Sequence, residues 1–394
     1  MISKAYLGVP VMAKLTNRFW FQLHGWFSLP VWLIFCFVCL TGTVAVFSHE
    51  LTWLTNPAAR AGNPDNLPAR PIPELVARVQ QQFPTADIST VMVFEPYLVH
   101  VVAFTDHDKP YALAYVNPYS GEIQQVNQGQ TFIGFMRSLH GWLLFPWQNG
   151  YSVGYYLVSA MAIVMLGALI TGLIVYKNFW RSFVRPQLRW RQGKKTLLTD
   201  LHRLAGVWSI WFLLLMSATG LWYLTQAVLW HADIDIEPHA PVVSAATLPN
   251  SADARRLDLA AALDIAQQRF PDFQPSYLLL PEHQRGMYTL MGGGDHIFYD
   301  KLAYTLSINP WTGEIASEKS PANMNTWQTI MHLADPLHYG TLAGLWTKTL
   351  WFIFGLLLTG MSITGFLLWH GRTQYAVRRS RHTTDLSEAD YEAS

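Results

Sequence analysis

Four stretches of the chain contain no Asp, Glu, Lys or Arg over the ~20 residues that a helix needs to cross an apolar bilayer core of ~30 Å: residues 19–48, 151–176, 204–230 and 349–369. With their flanking turns they predict transmembrane helices over 19–48, 151–176, 201–230 and 346–370. The first is read as a retained anchor, because its apolar run (29–47) is too long for a signal peptide and no small-residue cleavage site follows. Two long segments, 49–150 and 231–345, show shorter periods. Helical spacing over 73–82 and 258–269 precedes alternating or β-branched runs at 90–94, 98–104 and 111–116, then at 277–280, 287–291 and 303–308. The predicted fold class is an integral membrane α-helical protein with an internal duplication and two α+β units outside the membrane.

Composition agrees with a membrane setting. Hydrophobic residues are 51% and charged residues 13%, about half the charged share of a soluble chain, ~25%. A net charge of +1 gives no polyanion-binding surface, so nucleic acid is excluded as a partner, and membrane lipid is the expected surroundings. Two cysteines exclude a disulfide scaffold; Cys36 and Cys39 lie inside the first apolar span and read as buried thiols. Lys and Arg set the orientation: residues 1–18, 177–200 and 371–394 carry three, seven and four, against 11 in the two long segments together. The N-terminus (1–18), the basic loop (177–200) and the tail (371–394) are therefore expected in the cytoplasm, and both long segments outside.

The chain also reads as two copies of one pattern. Leu23-His24 matches Leu201-His202, and Thr41-Gly42 matches Thr219-Gly220, both at an offset of 178. Asn117-Pro118-Tyr119-Ser120-Gly121-Glu122-Ile123 matches Asn309-Pro310-Trp311-Thr312-Gly313-Glu314-Ile315 at 192, His140 matches His332 at 192, and Thr171-Gly172 matches Thr364-Gly365 at 193. The offset only grows, with its jumps in loops. Each half starts and ends inside, which describes a parallel repeat. Gly292-Gly293-Gly294-Asp295 lacks the helix start and Lys-Ser/Thr of a phosphate loop, so a hairpin tip is the expected reading.

The repeat sorts the fourteen histidines. His24 and His202 fall near the cytoplasmic ends of their spans, with Gly42 and Gly220 18 residues further on, roughly 27 Å along a helix. His140 and His332 precede the second span of each half on the outer side, and Gly172 and Gly365 lie near its cytoplasmic end. Each face then has a histidine pair and a glycine pair. Imidazole is an axial haem ligand, and glycine lets a macrocycle approach a backbone. The expected assignment is two haems, His24 with His202 for the inner and His140 with His332 for the outer, with Gly42, Gly172, Gly220 and Gly365 giving clearance. His338 is the main rival for His332, and His49 or His231 could replace either outer ligand. His100, His107, His239, His283, His296 and His382 read as solvated. The bland alternative is that these are interfacial polar residues and that Thr-Gly is small-residue helix packing. Neither paired carboxylates nor a Ser-His-Asp pattern is evident, so the catalytic residues are unknown.

The sequence resembles the PepSY-domain transmembrane proteins of iron uptake, which include haem-containing siderophore reductases of the ferrioxamine type. The resemblance rests on Leu23-His24-Gly25-Trp26, the paired Asn-Pro-x-[Ser/Thr]-Gly-Glu turns, Ser138-Leu139-His140, Pro336-Leu337-His338-Tyr339-Gly340, and Ile363-Thr364-Gly365-Phe366 with Trp369. It implies a multi-pass inner-membrane protein whose two long segments are periplasmic PepSY-like domains. It further implies b-type haems, His24, His140, His202, His332 and His338 at recurrent positions, and electron transfer to ferric siderophores with release of Fe(II). His49 and His370 depart from that pattern. The electron donor is open between a quinol and a cytoplasmic flavin reductase. The alternatives are a non-enzymatic membrane protein binding a periplasmic protease or envelope factor and, ranked last, a siderophore transporter.

Overall fold

The computed structural model describes residues 16–237, 239–249 and 255–392, with side chains as far as residue 377. Residues 1–15 of the expected cytoplasmic N-terminus lie outside these limits, and of most of the tail, including His382, only the backbone is described. The chain starts with α1 (Asn17–Ser28), α2 (Trp32–Ala45), α3 (Ser48–Thr55) and α4 (Ile72–Gln82). Strands β1 (Asp87–Met92), β2 (His100–Asp106), β3 (Lys109–Val116) and β4 (Ile123–Asn127) follow, then α5 (Phe132–Trp142), α6 (Val153–Val175) and α7 (Phe179–Val184). The second half has α8 (Lys194–Trp208), α9 (Ile210–His231) and α10 (Leu259–Arg269), strands β5 (Gln274–Leu279), β6 (Tyr288–Gly293), β7 (Tyr304–Ile308) and β8 (Ile315–Lys319), and finally α11 (Thr326–Tyr339) and α12 (Gly344–Glu392). Gly292-Gly293-Gly294 runs out of β6 into the β6–β7 connection.

Among the described residues, three helices are long and apolar enough to cross a membrane: α6, α9 and the Gly344–Val377 part of α12. The first expected span is not one straight helix. Residues Leu29–Val31 form a 3-10 turn between α1 and α2, which meet at 64° and pass the same test only as a pair. Pro30 explains the bend, since it removes a backbone donor and its ring clashes with the preceding turn.

Contacts divide the chain into a helical unit (residues 1–39, 161–217 and 356–394) and a second unit (40–160 and 218–355). The second unit corrects the expectation of two separate α+β units. All eight strands form one antiparallel sheet in the order β4-β3-β2-β1-β5-β6-β7-β8. The two first strands join its halves, with Thr90, Val91 and Met92 opposite Leu279, Leu278 and Tyr277. A β1 or β5 edge left bare would expose a row of unpaired backbone groups; pairing the two removes both edges at once.

One core serves the whole sheet. Leu75 and Val79 of α4 and Leu259, Ala262 and Ala266 of α10 fall at helical spacing and pack with Val102, Phe104, Leu278, Leu290 and Leu306. Burial of each large side chain contributes ~1.5–3 kcal/mol. On the opposite face, Val99, Val101 and Ala103 cluster with Leu113 and Tyr115, as the two-residue period requires. The matching turns end β3 and β7. Asn117 Oδ1 accepts from the N–H groups of Tyr119 and Ser120, and Asn309 Oδ1 from that of Trp311. Gly121 and Gly313 take φ of +75° and +74°, values an L side chain resists.

Candidate functional site: two facing imidazole pairs

The helical unit brings together His24 of α1 and His202 of α8, with ring centroids 6.3 Å apart and planes at 83°. Each ring sits on a Thr-Gly step of another helix. The Nδ1–H of His24 donates to the Ala168 carbonyl and to Thr171 Oγ1, both at 3.0 Å. Its counterpart on His202 donates to the Met361 carbonyl at 3.0 Å and Thr364 Oγ1 at 3.1 Å. These contacts fix the tautomer. A carbonyl oxygen only accepts, and the Thr171 and Thr364 hydroxyls donate to the Gly167 and Gly360 carbonyls, leaving their lone pairs for the imidazoles. Nδ1 therefore carries the proton, and Nε2 keeps a free lone pair, as a metal-ligating imidazole requires.

The second unit repeats the arrangement. His140 of α5 and His338 of α11 lie with centroids 6.2 Å apart and planes at 28°. Thr41 Oγ1 is 3.4 Å from Nδ1 of His140, and Thr219 Oγ1 is 2.9 Å from Nδ1 of His338. Three of the glycines in the Thr-Gly steps lie against imidazoles. A Cβ on Gly42 would come within 2.6 Å of His140 Cε1, and Cβ atoms on Gly172 and Gly365 within 3.3 and 3.2 Å of the Cε1 atoms of His24 and His202. At Gly42, Gly172 and Gly365 the group next to the glycine is the imidazole ring.

The expected partner of His140 was His332. The structure puts His338 there instead, and the reason lies in helix length. Measured from the Asn-Pro turn, α11 is longer than α5, while residues 340–343 linking it to α12 are fewer than residues 143–152 linking α5 to α6. The offset thus rises to 198 at the histidine and returns to 193 at Thr-Gly. His332, one and a half turns back, is 2% exposed and locked into ion pairs. Its Nδ1 lies 2.8 Å from Asp300 Oδ1 and its Nε2 3.1 Å from Glu237 Oε1, with Lys319 Nζ 2.6 Å from the same glutamate. Burial disfavours the imidazolium, but hydrogen bonds to the two carboxylates outweigh it, so the His332 pKa is raised. Burial lowers that of Lys319 despite Glu237.

The remaining candidates have other partners. His49 Nδ1 pairs with Glu95 at 2.8 Å, His231 lies against Tyr151 and Tyr156, and His370 stacks on Phe366 beside Gln374. His100, expected in solvent, is enclosed at the start of β2, and burial alone pushes its pKa down to about 4. Cys36 and Cys39 form no disulfide bond.

A family model described as the PepSY-associated TM region matches residues 21–372. The chain belongs to the PepSY-associated TM family. Among curated proteins none matches it.

Whether this PepSY-associated TM protein's residues fit a haem can be judged from the donor set. Two neutral imidazoles binding one metal at ~2.0 Å per bond, with each ring centre about 1.2 Å behind its nitrogen, have centroids ~6.3–6.4 Å apart; the observed separations are 6.3 and 6.2 Å. No group of three or more His, Cys, Asp or Glu among the described residues is placed to hold a bare ion. Two protein ligands suffice where a macrocycle supplies the other four. One turn along α9 from Thr219, Trp222 buries an indole N–H with no partner among the described residues, a donor suited to a cofactor carboxylate. The donor set fits. The four threonines were visible in the sequence only as half of a Thr-Gly repeat; their recurrence at every matched step was the signal for their contacts with the histidine Nδ1 atoms.

Proposed function

We propose that this membrane protein is a di-haem b-type reductase that carries electrons across the inner membrane to ferric siderophores on the periplasmic side, releasing Fe(II). The observation supporting the reading is the double occurrence of two imidazoles at a separation suited to one metal between them, each with Nδ1 held by a Thr-Gly step. His24 and His202 would hold the inner haem, and His140 and His338 the outer. A haem with two imidazole ligands supplies one-electron transfer and leaves no open position for substrate at the iron. The chain's own contribution is then positional. Ala168, Thr171, Met361 and Thr364 hold the inner rings in one tautomer, and Thr41 and Thr219 orient the outer rings. The ion-paired cluster of His332, Asp300, Glu237 and Lys319 fixes α11, which carries His338. A quinol or a cytoplasmic flavin reductase is the proposed electron donor.

The test is purification in mild detergent from haem-replete cells, followed by absorption spectra before and after dithionite. Two b-type haems per chain, reoxidised when a ferric hydroxamate chelate is added, support the proposal. Loss of one spectral component in His338→Ala but not in His332→Ala supports the ligand assignment. A colourless, haem-free protein refutes the proposal and favours a non-enzymatic module binding a periplasmic partner.

A further inference from the structure

We infer that Asp335 is the proton-accepting group of the outer pocket, so that the centre held by His140 and His338 gains a proton on this carboxylate when it gains an electron. The inference rests on the reading that this pair holds a redox-active metal. Its basis is the position of Asp335 beside that pair, without an ion-pair partner of its own. Glu50 is paired with Lys348, Glu95 with His49, Asp300 with His332 and Glu237 with Lys319, all within 2.6–2.8 Å. Asp335 has no cation within 4.0 Å among the described residues. Its hydrogen bond comes from the Tyr223 hydroxyl at 2.8 Å, and the Tyr223 ring lies edge-on to His338 with centroids 5.1 Å apart. A buried carboxylate without an ion pair, one side chain removed from a proposed ligand, responds to added negative charge by taking up a proton.

The groups facing Asp335 come from several elements: Tyr223 of α9, Arg137 of α5, Asp300 of the β6–β7 connection, and His332 of its own helix; Tyr155 of α6 and Tyr339 lie nearby. Burial, and then the Asp300 charge, outweigh the Tyr223 hydrogen bond and the two cations, raising the Asp335 pKa to about 6. One turn back along α11, the His332 cluster extends to Glu237, whose side chain is 35% exposed. In the step itself, one electron would be supplied by a quinol or reduced flavin. One proton arrives from water outside, an O–H bond forms on Asp335, no protein bond breaks, and the pocket's net charge is unchanged.

The experiment is a redox titration of the purified full chain by absorption from pH 5 to 9, with mediators and dithionite. The wild-type outer component is expected to fall in midpoint potential by up to about 59 mV per pH unit, one proton per electron, over a window opening near the Asp335 pKa. Asp335→Asn is expected to keep the component and flatten the dependence. Tyr223→Phe, which removes the hydrogen bond favouring the carboxylate, is expected to move the window to higher pH. A pH-independent wild-type potential, an unchanged slope in Asp335→Asn, or an unmoved window in Tyr223→Phe overturns the inference while leaving the haem reading intact. Absence of any outer component in the wild type overturns both.

Discussion

Adding one methyl group at Gly42 tests the seating of the imidazoles. The new Cβ would stand 2.6 Å from His140 Cε1 and 3.1 Å from each ring nitrogen, whereas carbon atoms rest at ~3.5–4.0 Å. The ring must retreat by about 1 Å, twice the ~0.5 Å that a working constellation tolerates. Gly172→Ala and Gly365→Ala ask for only a few tenths, since their new atoms would lie 3.3 and 3.2 Å from His24 and His202. Loss of a group that merely orients a ligand costs ~10–100-fold in metal affinity; displacing the ligand should cost at least the upper figure, about 2.7 kcal/mol. Gly42→Ala should therefore lose the outer component, while the other two variants keep the inner one with affinity lowered by less than about tenfold. The assay is Soret absorbance per chain with reduced-minus-oxidised spectra, and far-UV circular dichroism confirms that each variant folds. Full outer occupancy in Gly42→Ala, or greater damage in Gly172→Ala or Gly365→Ala, would refute the reasoning.

Thr171→Val and Thr364→Val each remove one Nδ1 acceptor but leave the Ala168 or Met361 carbonyl, so each should weaken haem retention by about 1 kcal/mol, read as faster transfer to apomyoglobin. His332→Ala breaks a buried ion pair and leaves Asp300 uncompensated; with Lys319 still beside Glu237 the cost should be near the low end of ~3–5 kcal/mol, a fall in melting temperature of ~6–12 °C. Because the folded-state pKa of His332 is raised, its contribution is complete below the unfolded value of ~6.5 and is lost as pH rises through the folded value. Melting curves from pH 6 to 9 should show that loss in the wild type and not in His332→Ala.

Much of the architecture could be read from the chain because it depends on local chemistry. Apolar runs free of charge marked the spans, and Asn-Pro-x-[Ser/Thr]-Gly-Glu fixed two turns through proline's φ and glycine's positive φ. The fusion of two sheets into one was not legible, since strand periodicity says which face a residue takes but not which strand it meets. Pro30 did signal the break in the first span; a tally of apolar residues alone passes over it. The error at His332 came from assuming that an offset between halves can only grow. A longer helix followed by a shorter loop cancels in that sum, and the histidine moved with the helix end that reaches His140. His24, His202 and His140 required no such compensation, and their Thr-Gly seats were in register from the start.

Electron paramagnetic resonance of the oxidised protein tests the central claim most directly, because it reports both the number of axial imidazoles and the angle between their planes. Rings at 83° and 28° should give two distinct low-spin ferric signals, a strongly anisotropic one from the near-perpendicular inner pair and a rhombic one from the outer pair. His24→Ala should abolish the first alone, and His338→Ala the second alone. High-spin signals only, or two low-spin signals that survive both substitutions, would contradict the account.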